Sequence, residues 1–123
     1  MGVYTGISQD NVIINSGQAT LQRLRVTGDA PVTKTADFTV ADTENLLINN
    51  KASTACVVTL PAASAWLGRR IVIKTIQALA VTSASSNVVP LAGGAAGTAL
   101  VTGTAGAWAE IVSDGTNWII MAA

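Results

Sequence analysis

Apolar positions in this chain come in short runs, and polar or turn-forming residues close nearly every one. NVIIN (11–15) is a brief apolar run between polar residues. In TLQRLRVT (20–27), Leu24 and Val26 fall on one face and Arg23 and Arg25 on the other, the alternation of a half-buried strand. Gly28-Asp29-Ala30-Pro31 ends that pattern. From residue 32 onward the pattern is steadily that of strands. ADFTV (36–40), NLLINN (45–50), ACVVTL (55–60) and IVIKTI (71–76) are short and rich in β-branched or aliphatic residues, with Asp42-Thr43-Glu44 and residues 50–53 as punctuation. In IVIKTI the two-residue period puts Ile71, Ile73 and Thr75 on one face and Val72, Lys74 and Ile76 on the other.

Between the third and fourth of these runs lies PAASAWLGRR. Pro61 opens and Gly68 closes a single helical turn over 62–67, with Trp66 tucked inward. Beyond residue 76 small residues dominate, yet Val81, Val88-Val89, Leu91, Leu100-Val101, Ile111 and Val112 recur at strand-like spacing. No repeat of fixed period emerges. AEIVS and WIIMA, joined by Asp114-Gly115-Thr116-Asn117, predict a hairpin with arms 107–113 and 117–121 and a tight or bulged turn. Trp108 and Trp118 lie in opposite arms, where an aromatic cross-strand pair would form. Frequent Gly, Pro and β-branched residues exclude long helices. The expected fold is all-β: short antiparallel strands in a sandwich, barrel or prism-like knob over residues 32–123, preceded by an N-terminal arm of residues 1–31.

Composition adds a constraint on the surface. The 123 residues suit one domain. Seven basic and seven acidic residues cancel, and the charged fraction is 11%, against about 25% in ordinary globular domains. A small monomer so poor in charge exposes much apolar surface, so cover by further copies or by a partner is expected. From Thr75 to Ala109 there is no charged residue. Ser83 to Asn87, Pro90 and Gly93-Gly94 interrupt that stretch, so no membrane insertion is expected. The N-terminus lacks the basic-then-apolar order of a secretory signal, and Gly6 stands where a myristoylation motif requires Ser or Thr. The charge balance shows no basic footprint for nucleic acid.

Catalytic chemistry finds little to build on. The chain has no histidine, which rules out a Ser-His-Asp triad, a Cys-His pair and a histidine zinc site. Its one cysteine, Cys56, allows no internal disulfide and reads as a small buried hydrophobe between Ala55 and Val57. The glycines at 93, 94 and 97 lack the Lys-Ser/Thr of a phosphate loop. Asp42 and Glu44 flank a turn and are expected to be solvated; a carboxylate-pair hydrolase would need them to converge with Asp114 in one groove. The surroundings of Asp114 lack the oxygen series of a calcium loop. Arg69-Arg70 reads as a surface charge pair where a strand begins. Trp66, Trp108 and Trp118 suit packing, with stacking against sugar rings as the minority use. No enzyme activity, cofactor or metal is expected.

Three stretches taken in order carry a resemblance. FTVADTENLLINNKASTACVVTL (38–60), PAASAWLGRRIVIK (61–74) and AEIVSDGTNWIIM (109–121) resemble a β-rich module of tailed-bacteriophage virion proteins, found in tail fibres, tail spikes and head fibres. The matching residues are Leu47, Asn49, Thr59, Leu60, Pro61, Gly68, Arg69, Ile73, Lys74, Ser113, Asp114, Gly115, Asn117 and Trp118. The resemblance implies a non-enzymatic structural or adhesive virion component, commonly a homotrimer. Residues 1–31 fall outside it. In such proteins the N-terminal part docks on the particle, which makes Val12, Ile13, Ile14, Leu21, Arg23 and Arg25 the candidate capsid contacts. The short chain beginning with Met fits a capsid decoration protein or head fibre, on the capsid surface and bound to the major capsid protein or another virion protein. The alternative is a tail-fibre module binding a host-surface glycan. Trp66, Trp108, Asp114, Asn117 and Trp118 would then supply packing and, as the minority use, ligand contact.

Overall fold

The computed structural model describes residues 30–123. In chain order its strands are β1 (Val32–Lys34), β2 (Phe38–Thr39), β3 (Leu46–Asn49), β4 (Cys56–Thr59), β5 (Arg70–Thr75), β6 (Val81–Ser83), β7 (Val88–Val89), β8 (Ala99–Val101), β9 (Trp108–Ser113) and β10 (Trp118–Ala122). A 3-10 turn, Ala63–Ala65, sits between β4 and β5. Residues 1–29 of the expected arm, with the apolar run at 11–15 and the strand pattern at 20–27, lie outside the described residues.

The fold is all-β, with two sheets packed about one core. One sheet has six strands in the order β1-β3-β5-β9-β10-β7, and the other has four in the order β2-β4-β6-β8. From β1 to β6 the chain alternates between them, laying one strand in each sheet per circuit. A strand reached after a full circuit runs in the same direction as its predecessor, and the strand in the other sheet serves as the crossover that parallel pairing requires. Hence β1–β3, β3–β5, β2–β4 and β4–β6 are parallel, and so is β7–β10. The expected antiparallel pairing holds for β5–β9, β9–β10 and β6–β8. The predicted C-terminal hairpin is present as β9 and β10.

Alternation decides the core. Leu47, Ile71, Ile73, Ala109, Ile111, Trp118 and Ile120 point inward from the large sheet, and Cys56, Val58, Val81, Leu100 and Val101 from the small one. Burial pushes the Cys56 thiol pKa up, with the nearby Asp37 charge adding to the effect, so the cysteine is a neutral core residue. Buried polar side chains sit where inward-facing strands end. Asn49 and Thr75, partners in register across β3–β5, share a hydrogen bond of 3.1 Å from Nδ2 to Oγ1. Asn49 Oδ1 also accepts from the Lys51 amide, and Thr75 Oγ1 from the Gln77 amide. These side chains tie off the turns that follow their strands, which satisfies groups that would otherwise be buried unpaired.

The expected Trp108–Trp118 pair does not form. In the hairpin register Trp118 lies opposite Ser113, whereas Trp108, at the far end of β9, lies opposite Lys74 of β5. The two also face opposite ways: Trp118 is fully buried and Trp108 is 41% exposed. Register and strand parity together separate them. Leu91, expected within a strand, lies outside one and is 57% exposed.

Candidate functional site

The three motifs converge on one side-chain-to-backbone junction beneath the turn after β9. Ser113 Oγ donates to the Ala63 carbonyl at 2.7 Å, and Trp118 Nε1 donates to the Pro61 carbonyl at 2.9 Å. Both acceptors belong to the segment between β4 and β5, whose 3-10 turn has no side-chain cap of its own. The backbone reinforces this: the Gly68 amide donates to the Ser113 carbonyl, and the Ser113 amide to the Arg69 carbonyl. Gly68 has φ +82°, a conformation that glycine adopts without strain.

Arg69 joins the first motif to the junction. Its Nε donates to Asn45 Oδ1 at 3.0 Å, and its Nη2 donates to the carbonyls of Ala41 (2.8 Å) and Glu44 (2.7 Å). The guanidinium lies 4.5 Å from the Trp66 ring centre, a cation–π stack. Nη1 is buried and has no protein acceptor. The sequence reading of Arg69-Arg70 as one surface pair is therefore corrected. Strand parity sends Arg70 outward, 3.5 Å from Glu110, while Arg69 precedes the strand and turns in to clamp the 41–45 loop. A planar fork with several donors suits that task, which a lysine could not fill.

The Asp114 turn is closed by its own atoms. Asp114 Oδ1 accepts from the Thr116 amide (2.9 Å) and the Asn117 amide (2.7 Å), and the Asp114 amide donates to the Asn117 carbonyl. These amides, Asn117 first, hold the Asp114 carboxyl below the usual carboxylate range. Gly115 takes φ +92°, a conformation in which any side chain would be strained.

Asp37, Glu44 and Glu110 are likewise engaged in structure, each in an ion pair. Glu44 pairs with Lys34 at 2.8 Å and accepts from the Ala41 amide, and both interactions lower its pKa. It is not the solvated turn residue expected, since its side chain is 11% exposed. Asp42 is exposed. Among the described residues no three His, Cys, Asp or Glu side chains gather into a metal-holding group. Also among them, no helix is long and apolar enough to cross a membrane.

Of the sequence candidates, the structure brings Trp66, Asp114, Asn117 and Trp118 to this junction and leaves Trp108 on the outer sheet face. Val12, Ile13, Ile14, Leu21, Arg23 and Arg25 lie outside the described residues. Sequence reasoning missed the bridging roles of Arg69, Asn45 and Ser113. The signal available for them was their place inside the recurring motifs. A separate groove of about 400 Å³ is lined by Val81, Pro90, Leu91, Leu100, Val101 and Ile120, among others. Threonines are its only polar side chains, so it lacks the convergent polar groups that orient a small ligand.

Comparison with family models, curated proteins and solved structures finds no match for the chain.

Proposed function

We propose that this chain is a non-enzymatic structural component of a tailed-bacteriophage virion: a self-associating capsid decoration or head-fibre protein, homotrimeric, held on the particle through residues 1–31. The observation that carries this is the use made of the motif side chains. Ser113, Trp118, Arg69 and Asn45 reach backbone carbonyls or one another, and Asp114 closes its own turn. Motif side chains so engaged serve the architecture of the knob, and among the described residues the exposed Asp42 and Lys74 are not gathered with a second catalytic group. The low charge and the motif order point the same way.

Imaging of intact particles with the protein labelled should place it on the capsid surface. A chain lacking residues 1–30 should remain a folded oligomer and no longer bind capsids; undiminished capsid binding by that chain would overturn the arm assignment. A tail location, with a glycan bound and binding lost in Trp108→Ala, would favour the receptor-binding reading instead. That second reading draws on the exposure of Trp108.

A further inference from the structure

The two sheets differ in what they show outward. On the four-stranded sheet the outward residues are Thr39, Val57, Thr59, Thr82 and Ala99, mostly polar or small. On the six-stranded sheet they form three registered rows: Thr33–Ile48–Lys74–Trp108, Leu46–Val72–Glu110–Ala122 and Arg70–Val112–Ile119–Val89. Met121, at the bulge in β10, is 58% exposed. A sheet with one face in water should alternate apolar-in and polar-out, whereas Ile71-Val72-Ile73, Ile111-Val112 and Ile119-Ile120 are apolar on both sides. That is the signature of a sheet covered on both faces.

We infer that copies of this chain meet through the outer face of the six-stranded sheet. The inference rests on the self-associating reading above and assigns it a face. The charges on the face are complementary to those of a second copy, which is the occupant this inference commits to. β5 carries Arg70 and Lys74, and its neighbour β9 carries Glu110, which registers with Val72 between them and lies 3.5 Å from its own Arg70, while Lys74 has no ion-pair partner among the described residues. A rotation axis parallel to the strands and facing the β5–β9 seam lays the β5 half of one face on the β9 half of the next. Residue levels are kept under that rotation, so the next copy's Glu110 lies between Arg70 and Lys74, and its Trp108 lies level with Lys74. The same match holds whether two or three copies close the ring. Three charged side chains amid the apolar rows make the face unsuited to lipid.

The twelve outward positions, at roughly 4.8 Å between strands and about 6.8 Å between same-face residues, give a flat area of about 400 Å² per copy. Two faces then give about 800 Å², and side-chain relief and Met121 raise the total toward the roughly 1,000 Å² at which specific interfaces begin.

The test compares full-length Val72→Glu and Ile119→Glu with Thr59→Glu and Thr82→Glu on the opposite sheet, by sedimentation mass and circular dichroism. The outer-face variants should remain folded and sediment as monomers, with a dissociation constant raised on the order of 100-fold; the opposite-sheet variants should assemble normally. A second variant set guards against misfolding. Glu110→Lys should weaken assembly, and adding Arg70→Glu and Lys74→Glu should restore it. Assembly that survives all outer-face changes, or that is lost only with the opposite-sheet changes, overturns the face assignment. A wild-type chain that sediments as a monomer overturns the self-association reading itself. Co-sedimentation of a different virion protein with a monomeric wild type would replace the second copy as occupant.

Discussion

Trp118 shows how one residue serves two layers of the structure. Its ring is fully buried in the core, and its indole N–H reaches the Pro61 carbonyl 57 positions away in sequence. The two contributions separate by substitution. Trp118→Phe keeps most of the apolar volume and leaves a carbonyl unpaired, so it should cost about 1–3 kcal/mol of unfolding free energy. Trp118→Ala adds the loss of the ring and should cost about 3–5 kcal/mol. Equilibrium denaturation measures both, and a Trp118→Phe chain as stable as wild type would mean that the hydrogen bond contributes nothing. The sequence placed Trp118 at the start of a return strand as a packing residue; in the structure it opens β10 with its ring buried. It could not give the bond to Pro61, because a partner in another motif is set by where the sheets bring the chain.

Strands and turns were the most legible level. Alternation located β3, β4, β5, β9 and β10 to within a residue or two, and Asp-Gly located the hairpin turn. Pairing direction was not legible, because a short strand with a two-residue period looks the same with a parallel or an antiparallel neighbour. The circuits differ in length, β1, β3 and β5 starting at Val32, Leu46 and Arg70, so no period appears in the sequence. Position in the sheet should govern local stability. β5 and β9 are flanked on both sides within the six-stranded sheet, whereas β1 and β7 are its edges and β2 and β8 those of the other. Amide hydrogen exchange should therefore be slowest in β5 and β9 and fastest in the four edge strands. Comparable protection in β7 and β9 would contradict this ranking.

For the whole molecule, the acid limb of stability follows from the carboxylates. Lys51 and the Val57 amide lower the Asp37 pKa, Lys34 and the Ala41 amide lower that of Glu44, and the turn amides lower that of Asp114. A carboxyl with a depressed folded-state pKa contributes stability fully above its unfolded-state value. It loses that contribution as pH falls through the folded-state value. With no histidine to titrate, the thermal midpoint should stay flat from about pH 8 to about pH 5.5 and fall below about pH 4. Glu44→Gln should lower the neutral-pH midpoint and shallow the acid decline; a profile parallel to wild type would remove Glu44 from the explanation.

The sequence alone determined the all-β class, the hairpin, the identity of much of the core and the shortage of surface charge. These depend on local period, turn chemistry and composition, which are properties of neighbouring residues. The tertiary structure alone decided the parallel circuits, the inward turn of Arg69, the separation of Trp108 from Trp118 and the apolar outer face. Each of these depends on which distant strands become neighbours. It was also the tertiary structure that joined three separate motifs into one junction, since carbonyls at 41, 44, 61 and 63 meet donors at 69, 113 and 118 only once both sheets are closed.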